Sequence, residues 1–254
     1  TPLMHQDVIR IETAIRISAK ESGIALVGYS PMTEQTYLRR DCAQYLLGKG
    51  YNRAITLAYP ISASACELLF KRKDEGFLFY FTQHVKACAE SLEKAAQKLC
   101  IQIESFGYRA FLVPGLGTGY HDDGCPTILS HITQARLAGL GTMGDSGMLL
   151  TAQFGPRVRL ATVLTDCPLP VPATLPDDVC LHCGACANIC PVGSITHGRH
   201  FDAKHPERYY TDKIVCAQYR NDNKEKYGSR FCNLCMAICP VGYNICHDRG
   251  IHTI

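Results

Sequence analysis

The spacing of apolar residues alternates between helical and extended patterns through the first two-thirds of the chain. Stripes at three- and four-residue intervals predict three helices. The stripe positions are Val8, Ile11, Ile15 and Ala19; Val85, Cys88, Leu92, Ala96 and Leu99; and Ile128, Ile132, Ala135 and Leu137. Four shorter apolar segments predict strands at 23–30, 53–61, 108–114 and 157–166. In the last strand, alternate positions predict one buried face: Val158, Leu160, Thr162 and Leu164. These elements predict a mixed α/β domain over residues 1–165.

A proline-rich segment, Asp166 to Asp178, follows the last predicted strand. It reads DCPLPVPATLPDD, and its four prolines predict a stiff, extended linker. Beyond it the apolar periodicity is weak and the cysteine density is high. We therefore predict a linker at 166–178 and a second domain at 179–254. That domain is short enough that we expect metal ligation to hold it together.

Composition narrows the class of protein. Apolar residues make up 46% of the chain and charged residues 19%, which is ordinary for a globular protein. The sequence contains no uncharged apolar run long enough to cross a membrane. The net charge is only +3, so we do not expect a dedicated nucleic-acid binder. The chain begins at Thr1 rather than Met, which leaves open whether a leader peptide was removed.

Cysteine is the outlying residue type, with 15 copies. A disulfide-rich secreted protein fits poorly, because the chain is long and the cysteine count is odd. About half of the cysteines also lie at metal-ligand spacing near the C-terminus. We therefore expect a reducing, cytoplasmic setting.

The first cysteine run, Cys180 to Gly193, reads CLHCGACANICPVG. Its four cysteines are separated by two, two and three residues, and Pro191 follows the last one. This spacing is typical of bacterial ferredoxins, in which the fourth cysteine ligates the other of two clusters. Zinc sites usually pair two CxxC units instead. We expect His182, inside the run, to lie beside the cluster or in solvent rather than to ligate it.

A second run, Ser229 to Gly242, reads SRFCNLCMAICPVG. It repeats the last three cysteines and the proline of the first run, but Ser229 occupies the position of the first cysteine. The two runs therefore predict a pseudo-symmetric module with two [4Fe-4S] clusters and one ligand to be found elsewhere. Cys216 and Cys246 are the nearby cysteines that could supply it.

A glycine-rich segment lies between the last predicted helix and the last strand. Gly139, Gly141 and Gly144 form a literal GxGxxG. A dinucleotide site requires that motif to follow a strand, and here it follows a helix. The glycines still indicate that the backbone comes very close to something, either a bulky ligand or another segment of the chain.

Taken together, these motifs resemble a known family. ARLAGLGTMGDSGMLLTAQFGPRVRLATVLTDCPL, followed by CxxCxxCxxxCP, a lone cysteine and CxxCxxxCP, resembles the epoxyqueuosine reductases and the catalytic cores of reductive dehalogenases. The resemblance covers roughly Gly23 to Gly242. It implies a nitroreductase-like, corrinoid-binding α/β domain at 1–165. It also implies a two-[4Fe-4S] ferredoxin-like domain that reduces the cobalt of a bound cobalamin.

The resemblance also assigns residues. The lone cysteine before the second run is a ligand in that family, which favours Cys216 over Cys246. One cluster would then take Cys180, Cys183, Cys186 and Cys239, and the other Cys190, Cys216, Cys232 and Cys235. The family's corrin contacts carry over to Gly139, Leu140, Gly141 and Gly144.

The chain departs from the family pattern at three places. Asp145-Ser146 replaces a pair that usually carries Lys or Asn. The position of the family's aspartate proton donor, counted back without gaps, holds Cys125; the weak catalytic candidates are His121, Asp122 and Cys125. A polar loop that caps the next helix would explain those residues equally well. The helical-repeat extension that usually follows the clusters in epoxyqueuosine reductases has no counterpart in this sequence.

Three functions share the clusters. The first is a cobalamin-dependent reductase acting on an unidentified substrate. The second is a reductase or activator that delivers electrons to the corrinoid of a partner protein. The third is a ferredoxin-type carrier linked to a flavin. Each needs an external low-potential donor such as ferredoxin or flavodoxin, and a homodimer is left open.

Overall fold

The structure, a computed structural model, describes residues 2–71, 75–115, 128–196, 212–227 and 231–243. It consists of two compact units that are interleaved along the chain. The first unit comprises Thr1–Pro60, Cys88–Leu140 and Arg159–Pro176, and the second comprises Ile61–Ala87, Gly141–Val158 and Asp177–Ile254. Each unit thus draws on three separate segments. The functional assignment of 1–165 and 179–254 as a cofactor domain and a cluster domain stays a prediction.

The helices and strands follow the alternation predicted from the sequence. The strands are β1 (Leu26–Pro31), β2 (Arg53–Pro60), β3 (Ala110–Val113), β4 (Thr142–Met143), β5 (Leu149–Leu150) and β6 (Val158–Thr165). The α-helices are α1 (Pro2–Glu21), α2 (Arg40–Gly48), α3 (Ala63–Glu67), α4 (Glu75–Ser105), α5 (His131–Leu137), α6 (Ala185–Asn188), α7 (Lys213–Tyr227) and α8 (Leu234–Ile238). Short 3-10 helices span Glu34–Thr36 and Leu68–Lys71. The three predicted helices and four predicted strands are confirmed. None of the helices in the described ranges is both long and apolar enough to cross a bilayer.

The first unit is built on a four-stranded sheet in the order β1-β2-β6-β3. The outer pairs, β1 with β2 and β3 with β6, run antiparallel. One core cluster combines residues of α1 and α4 with the sheet: Ile11, Ile15, Leu92, Leu99, Ile55, Leu57, Ala161 and Val163 are among its members. A second cluster includes Met32, Tyr37, Ala43, Ala54, Val113, Leu129 and Leu164. The sheet is therefore part of two separate cores.

Burial of β6 differs from the sequence prediction. Alternation predicted one buried face, but every residue from Ala161 to Thr165 is buried. Val163 packs in one core cluster and Leu164 in the other, so both faces of the strand are covered. An inner strand covered on both faces has no solvent side for alternation to report.

The second unit has an apolar core of its own. Residues from α3, the following 3-10 helix and the start of α4 pack with the second cysteine run: Cys66, Leu69, Leu78, Phe81, Val85, Cys232, Leu234, Met236 and Ala237. The expectation that metal ligation holds this part together therefore needs correction. Segment 61–87 supplies the apolar partners that residues 179–254 lack, which the linear order of the sequence did not reveal.

His131, at the start of α5, is a buried histidine in the first unit, with only 3% of its surface exposed. Its Nδ1 lies 2.8 Å from the Thr162 hydroxyl and its Nε2 lies 2.9 Å from the Pro114 carbonyl oxygen. A neutral ring satisfies both contacts, with Nε2–H donating to the carbonyl and Nδ1 accepting from the hydroxyl. Burial lowers the pKa of His131 to about 4.

We expect His131 to make the unfolding free energy depend on pH. Because its pKa is lower in the folded chain than in the unfolded one, its contribution is full above pH 6.5 and is lost as the pH falls towards 4. Between pH 7.5 and 5 the loss should be about 2 kcal/mol. Urea unfolding of the wild type and of His131→Gln at both pH values measures this loss. The contributions of the other histidines cancel when the unfolding free energies of the two proteins are subtracted at each pH. An equal gap between the two proteins at both pH values would contradict the prediction.

Candidate metal centre

The internal repeat of the two cysteine runs is present in the backbone. Gly184 and Asn233 follow equivalent cysteines and have φ of 74° and 47°, in the left-handed region. Glycine adopts this conformation freely, and asparagine is among the few other residues that tolerate it. Each of the two is the N-cap of a short helix, α6 or α8, and its carbonyl oxygen accepts from the N–H groups of the third and fourth residues of that helix. The two helices pack against each other, as the predicted pseudo-symmetric module requires.

The four predicted ligands of the first cluster line one cavity. Cys180, Cys183 and Cys186 come from the first run, whereas Cys239 comes from the end of the second. This exchange of one cysteine between the runs is what the ferredoxin spacing predicts. The cavity is also lined by Cys235 and by part of the glycine-rich segment, including Gly144 and Asp145.

The predicted ligands of the second cluster lie close to one another. The pKa of Cys235 is raised to about 12. Burial is the largest cause, followed by the negative charges of Cys232, Cys216, Cys186 and Cys190 in that order. Such an effect requires these sulfur atoms to be near Cys235. Cys232, Cys216 and Cys190 thus lie in the surroundings of Cys235, as does Cys186, and the division of these cysteines between two clusters stays a prediction.

Cys216 lies in the first turn of α7. Its charge is one of those that raise the pKa of Cys235. The side chain of Asp212 accepts from the backbone N–H groups of Ile214 and Val215, at 3.0 and 3.1 Å, and so caps the helix. Its rival for the eighth ligand, Cys246, lies outside the described residues. The choice of Cys216 stays a prediction that this geometry supports.

Cys190 is held by the turn that follows it. Its Sγ lies 3.2 Å from the Ser194 hydroxyl and accepts from the Ser194 N–H at 3.3 Å. Burial opposes ionisation, but these hydrogen bonds, with those from Val192 and Ile195, lower the pKa of Cys190. Hydrogen bonds of this kind stabilise a thiolate, the form of cysteine that ligates a metal.

The donor set fits iron-sulfur clusters. All described cysteines are free thiols, so no disulfide competes for the eight predicted ligands in the part of the chain that the structure covers. Burial raises the pKa of Cys186 to about 11, and the charges of Asp145, Cys239 and Cys180 contribute. Half-buried groups of four cysteines that lie close together are suited to a [4Fe-4S] cluster, whose binding displaces the thiol protons.

Arg157 secures the loop that carries Cys239. Its side chain is only 1% exposed, and Nη1 donates to the carbonyl oxygens of Met236 and Cys239 at 3.2 and 2.9 Å. Nη2 donates to the Val241 carbonyl oxygen, and the guanidinium lies 4.1 Å from the centre of the Tyr243 ring. This role could not be predicted from the sequence, because the acceptors are backbone carbonyls that no motif records.

A second polar group joins His182 to Asp145, which lines the cavity. His182 joins two carboxylates, with Nδ1 2.8 Å from Asp145 and Nε2 3.1 Å from Asp178. The hydrogen bond to Asp145 raises the pKa of His182. The placement of His182 beside the cluster ligands, and not among them, agrees with the expectation from the sequence. The involvement of Asp145 was missed, although its departure from the family pattern was a signal.

The predicted corrin contacts pack against the chain itself. A Cβ added to Gly141 would lie 2.1 Å from the Leu150 carbonyl oxygen, and one added to Gly144 would lie 2.3 Å from Leu150 Cδ1. In the first unit, Leu140 packs against Gly28, where an added Cβ would lie 2.8 Å from Leu140 Cδ2. Of the two explanations that the glycines left open, these contacts favour approach by another chain segment. A corrin contact at Gly139 to Gly144 stays a prediction.

The three weak catalytic candidates, His121, Asp122 and Cys125, lie outside the described residues. Their role as proton donors stays a prediction that rests on the sequence alone.

Comparison with known proteins first gives the class of the second unit. Residues 179–242 match the 4Fe-4S double cluster binding domain family. The chain therefore contains an iron-sulfur cluster-binding domain, and its boundaries enclose all eight predicted ligands.

Comparison over a longer span then gives the relatives. The chain is 27% identical over 157 residues to an epoxyqueuosine reductase of Pseudomonas aeruginosa, covering 61% of this chain and 40% of that protein. It is 29% identical over 163 residues to a tetrachloroethene reductive dehalogenase of Desulfitobacterium hafniense, covering 59% of this chain and 27% of that protein. The resemblance predicted from the motifs is confirmed. The chain spans well under two-thirds of the length of these relatives.

Solved structures of both families share the fold. A reductive dehalogenase described by its B12-dependent dehalogenation superposes with a TM-score of 0.66 at 18% identity, covering 89% of this chain and 31% of that one. An epoxyqueuosine reductase with an epoxyqueuosine-modified tRNA stem loop gives a TM-score of 0.57 at 15% identity, covering 93% and 66%. At these identities the likeness concerns the fold.

Proposed function

We propose that this protein is an iron-sulfur oxidoreductase that passes electrons to a cobalamin bound by its own α/β region, for reductive chemistry on an unidentified substrate. An external low-potential donor, reduced ferredoxin or flavodoxin, would supply the electrons one at a time, and a bound corrinoid would supply the cobalt centre for their use. The observation that carries the proposal is the exchange of Cys239 into the cavity of the first cysteine run. The relatives support it, since they are named reductases and one related structure is described as B12-dependent.

The cysteines have separate tasks in this proposal. Cys180, Cys183, Cys186 and Cys239 hold the first cluster, and Cys190, Cys216, Cys232 and Cys235 hold the second. When bound, the clusters supply one-electron carriers of low potential. Cys183 is exposed and Cys232 is buried, so the first cluster is the better placed to receive an electron from an external donor. Each cysteine run supplies ligands to both clusters, which keeps the clusters close enough for direct transfer.

The electron acceptor in this proposal is a corrinoid bound by the α/β region. We assign the α/β region a nitroreductase-like corrin-binding role because the relatives point to it. The second candidate, an activator that reduces the corrinoid of a partner protein, gains support from Leu150. That residue makes the close approach at Gly141 and Gly144, so these glycines are accounted for without a bound ligand.

We expect the anaerobically reconstituted chain to hold about eight irons and to bind one cobalamin. Iron and sulfide analysis measures the first quantity, and calorimetric titration with cobalamin measures the second. A parallel titration with flavin mononucleotide is the matched control. Tight flavin binding without cobalamin binding would replace the proposal with a flavin-linked carrier. Reduction of an added corrinoid protein, without binding of free cobalamin, would favour the activator. Stoichiometric zinc with no iron absorbance would contradict all three.

A further inference from the structure

Asp145 is a buried carboxylate beside the first predicted cluster. It is 3% exposed and lines the same cavity as Cys180 and Cys186. Burial raises the pKa of the Cys180 thiol, and the nearby backbone N–H groups of Asp145 and His182 oppose that rise. Burial is the largest cause of the raised pKa of the Cys186 thiol, and the negative charge of Asp145 is the second largest. Asp145 therefore acts on two of the four predicted ligands.

Hydrogen bonds fix the carboxylate in this position. Asp145 Oδ1 lies 2.8 Å from Nδ1 of His182, and Nε2 of that ring lies 3.1 Å from Oδ2 of Asp178. The other oxygen of Asp178 accepts from the Cys180 N–H at 2.9 Å and from the Thr142 hydroxyl at 3.0 Å. The network thus ties the turn between β4 and β5 to the backbone on both sides of Cys180.

His182 has an unusual backbone conformation. Its φ is 48°, in the left-handed region that side-chain-bearing residues rarely adopt. Such a conformation persists only where the surroundings hold it, and here two carboxylates hold the ring. Ligand atoms of Asp145, Cys180 and His182 lie within 4.8 Å of one another, but both ring nitrogens of His182 already face carboxylates. The group is therefore better suited to placing a charge than to binding a separate ion.

The geometry points to Asp145 as the residue that lowers the reduction potential of the first cluster. A negative charge at the cavity wall opposes the arrival of an electron at an already anionic centre. Oδ1 of Asp145 faces His182, whereas Oδ2 is buried with no hydrogen-bond partner among the described residues, so water does not screen that side of the carboxylate. This inference rests on the proposed function, since it requires the clusters. It adds that the chain keeps its first cluster strongly reducing.

The experiment is a potentiometric titration of the reconstituted full chain, followed by electron paramagnetic resonance. Asp145→Asn removes the charge at nearly constant shape and keeps the backbone N–H. Asp177→Asn is the matched control, because it makes the same change at an exposed carboxylate of the linker. We expect Asp145→Asn to raise the midpoint of one of the two clusters. The other midpoint, and both midpoints of Asp177→Asn, should stay at their wild-type values.

The outcomes separate the inference from the proposed function. Unshifted midpoints in Asp145→Asn, with iron content as in the wild type, would overturn the inference alone. A wild-type chain that assembles no iron-sulfur clusters would overturn the proposed function and the inference with it. If Asp145→Asn loads poorly, Asp145→Ser decides, because its smaller neutral side chain removes the charge without crowding the cavity. A raised midpoint in one cluster of that variant supports the inference, and unchanged midpoints overturn it.

Discussion

Replacing Cys216 by Ala should remove one of the two clusters and leave the other. Iron per chain should fall from about eight to about four, because a cluster that loses one of four thiolates is lost or converted. The reason lies in the position of the thiol in the first turn of α7, where its charge reaches Cys235. The capping of that turn by Asp212 holds the thiol in place.

The matched control for this prediction is Cys246→Ala, which removes the other cysteine that the sequence left open. It should retain about eight irons. The reduced-state paramagnetic resonance spectrum provides a second measurement, since coupling between two reduced clusters should disappear only in Cys216→Ala. Loss of iron and of coupling in Cys246→Ala alone would show that the eighth ligand was assigned to the wrong cysteine.

The predicted elements came from local information, and that is why they could be read from the sequence. The stripe from Val85 to Leu99 follows from the helical period of α4, whatever the helix packs on. Cysteine spacing is also local, since two, two and three residues are what a cluster-binding turn requires. The predicted exchange of Cys239 between the runs also follows from that spacing, and Cys239 lines the cavity of the first run.

Features that depend on distant partners could not be read in the same way. Apolar residues at 61–87 gave no sign that they pack with the second cysteine run, as Leu69 and Phe81 do. The glycines at 141 and 144 indicated a close approach but not that Leu150 makes it. The roles of Asp145 and Arg157 depend on a cavity wall and on backbone carbonyls, and the motif that contains both residues records neither.

Arg157→Met should destabilise the second unit and release iron from the first cluster. The side chain is buried, and its guanidinium satisfies carbonyl oxygens of Met236, Cys239 and Val241. Three buried acceptors left unpaired at about 1–3 kcal/mol each would cost about 3–9 kcal/mol, and because losses above about 5 kcal/mol are exceptional for one substitution, we expect about 3–5 kcal/mol. The affected loop carries Cys239, a predicted cluster ligand. Burial raises the pKa of Cys239, and the positive charge of Arg157 opposes that rise.

Arg157→Lys separates the charge from the geometry. An ammonium group keeps the charge but cannot reproduce the planar fork that reaches several carbonyl groups, so the variant should recover only part of the stability. Arg40→Met is the control for the substitution itself, since Arg40 is exposed and its replacement should change stability by no more than about 0.5 kcal/mol. Urea unfolding under anaerobic conditions and the rate of iron transfer to a chelator measure both effects. If Arg157→Met unfolded at the wild-type urea concentration and released iron no faster, the loop around Cys239 would be held by the apolar core and the cluster, and the buried guanidinium would be dispensable.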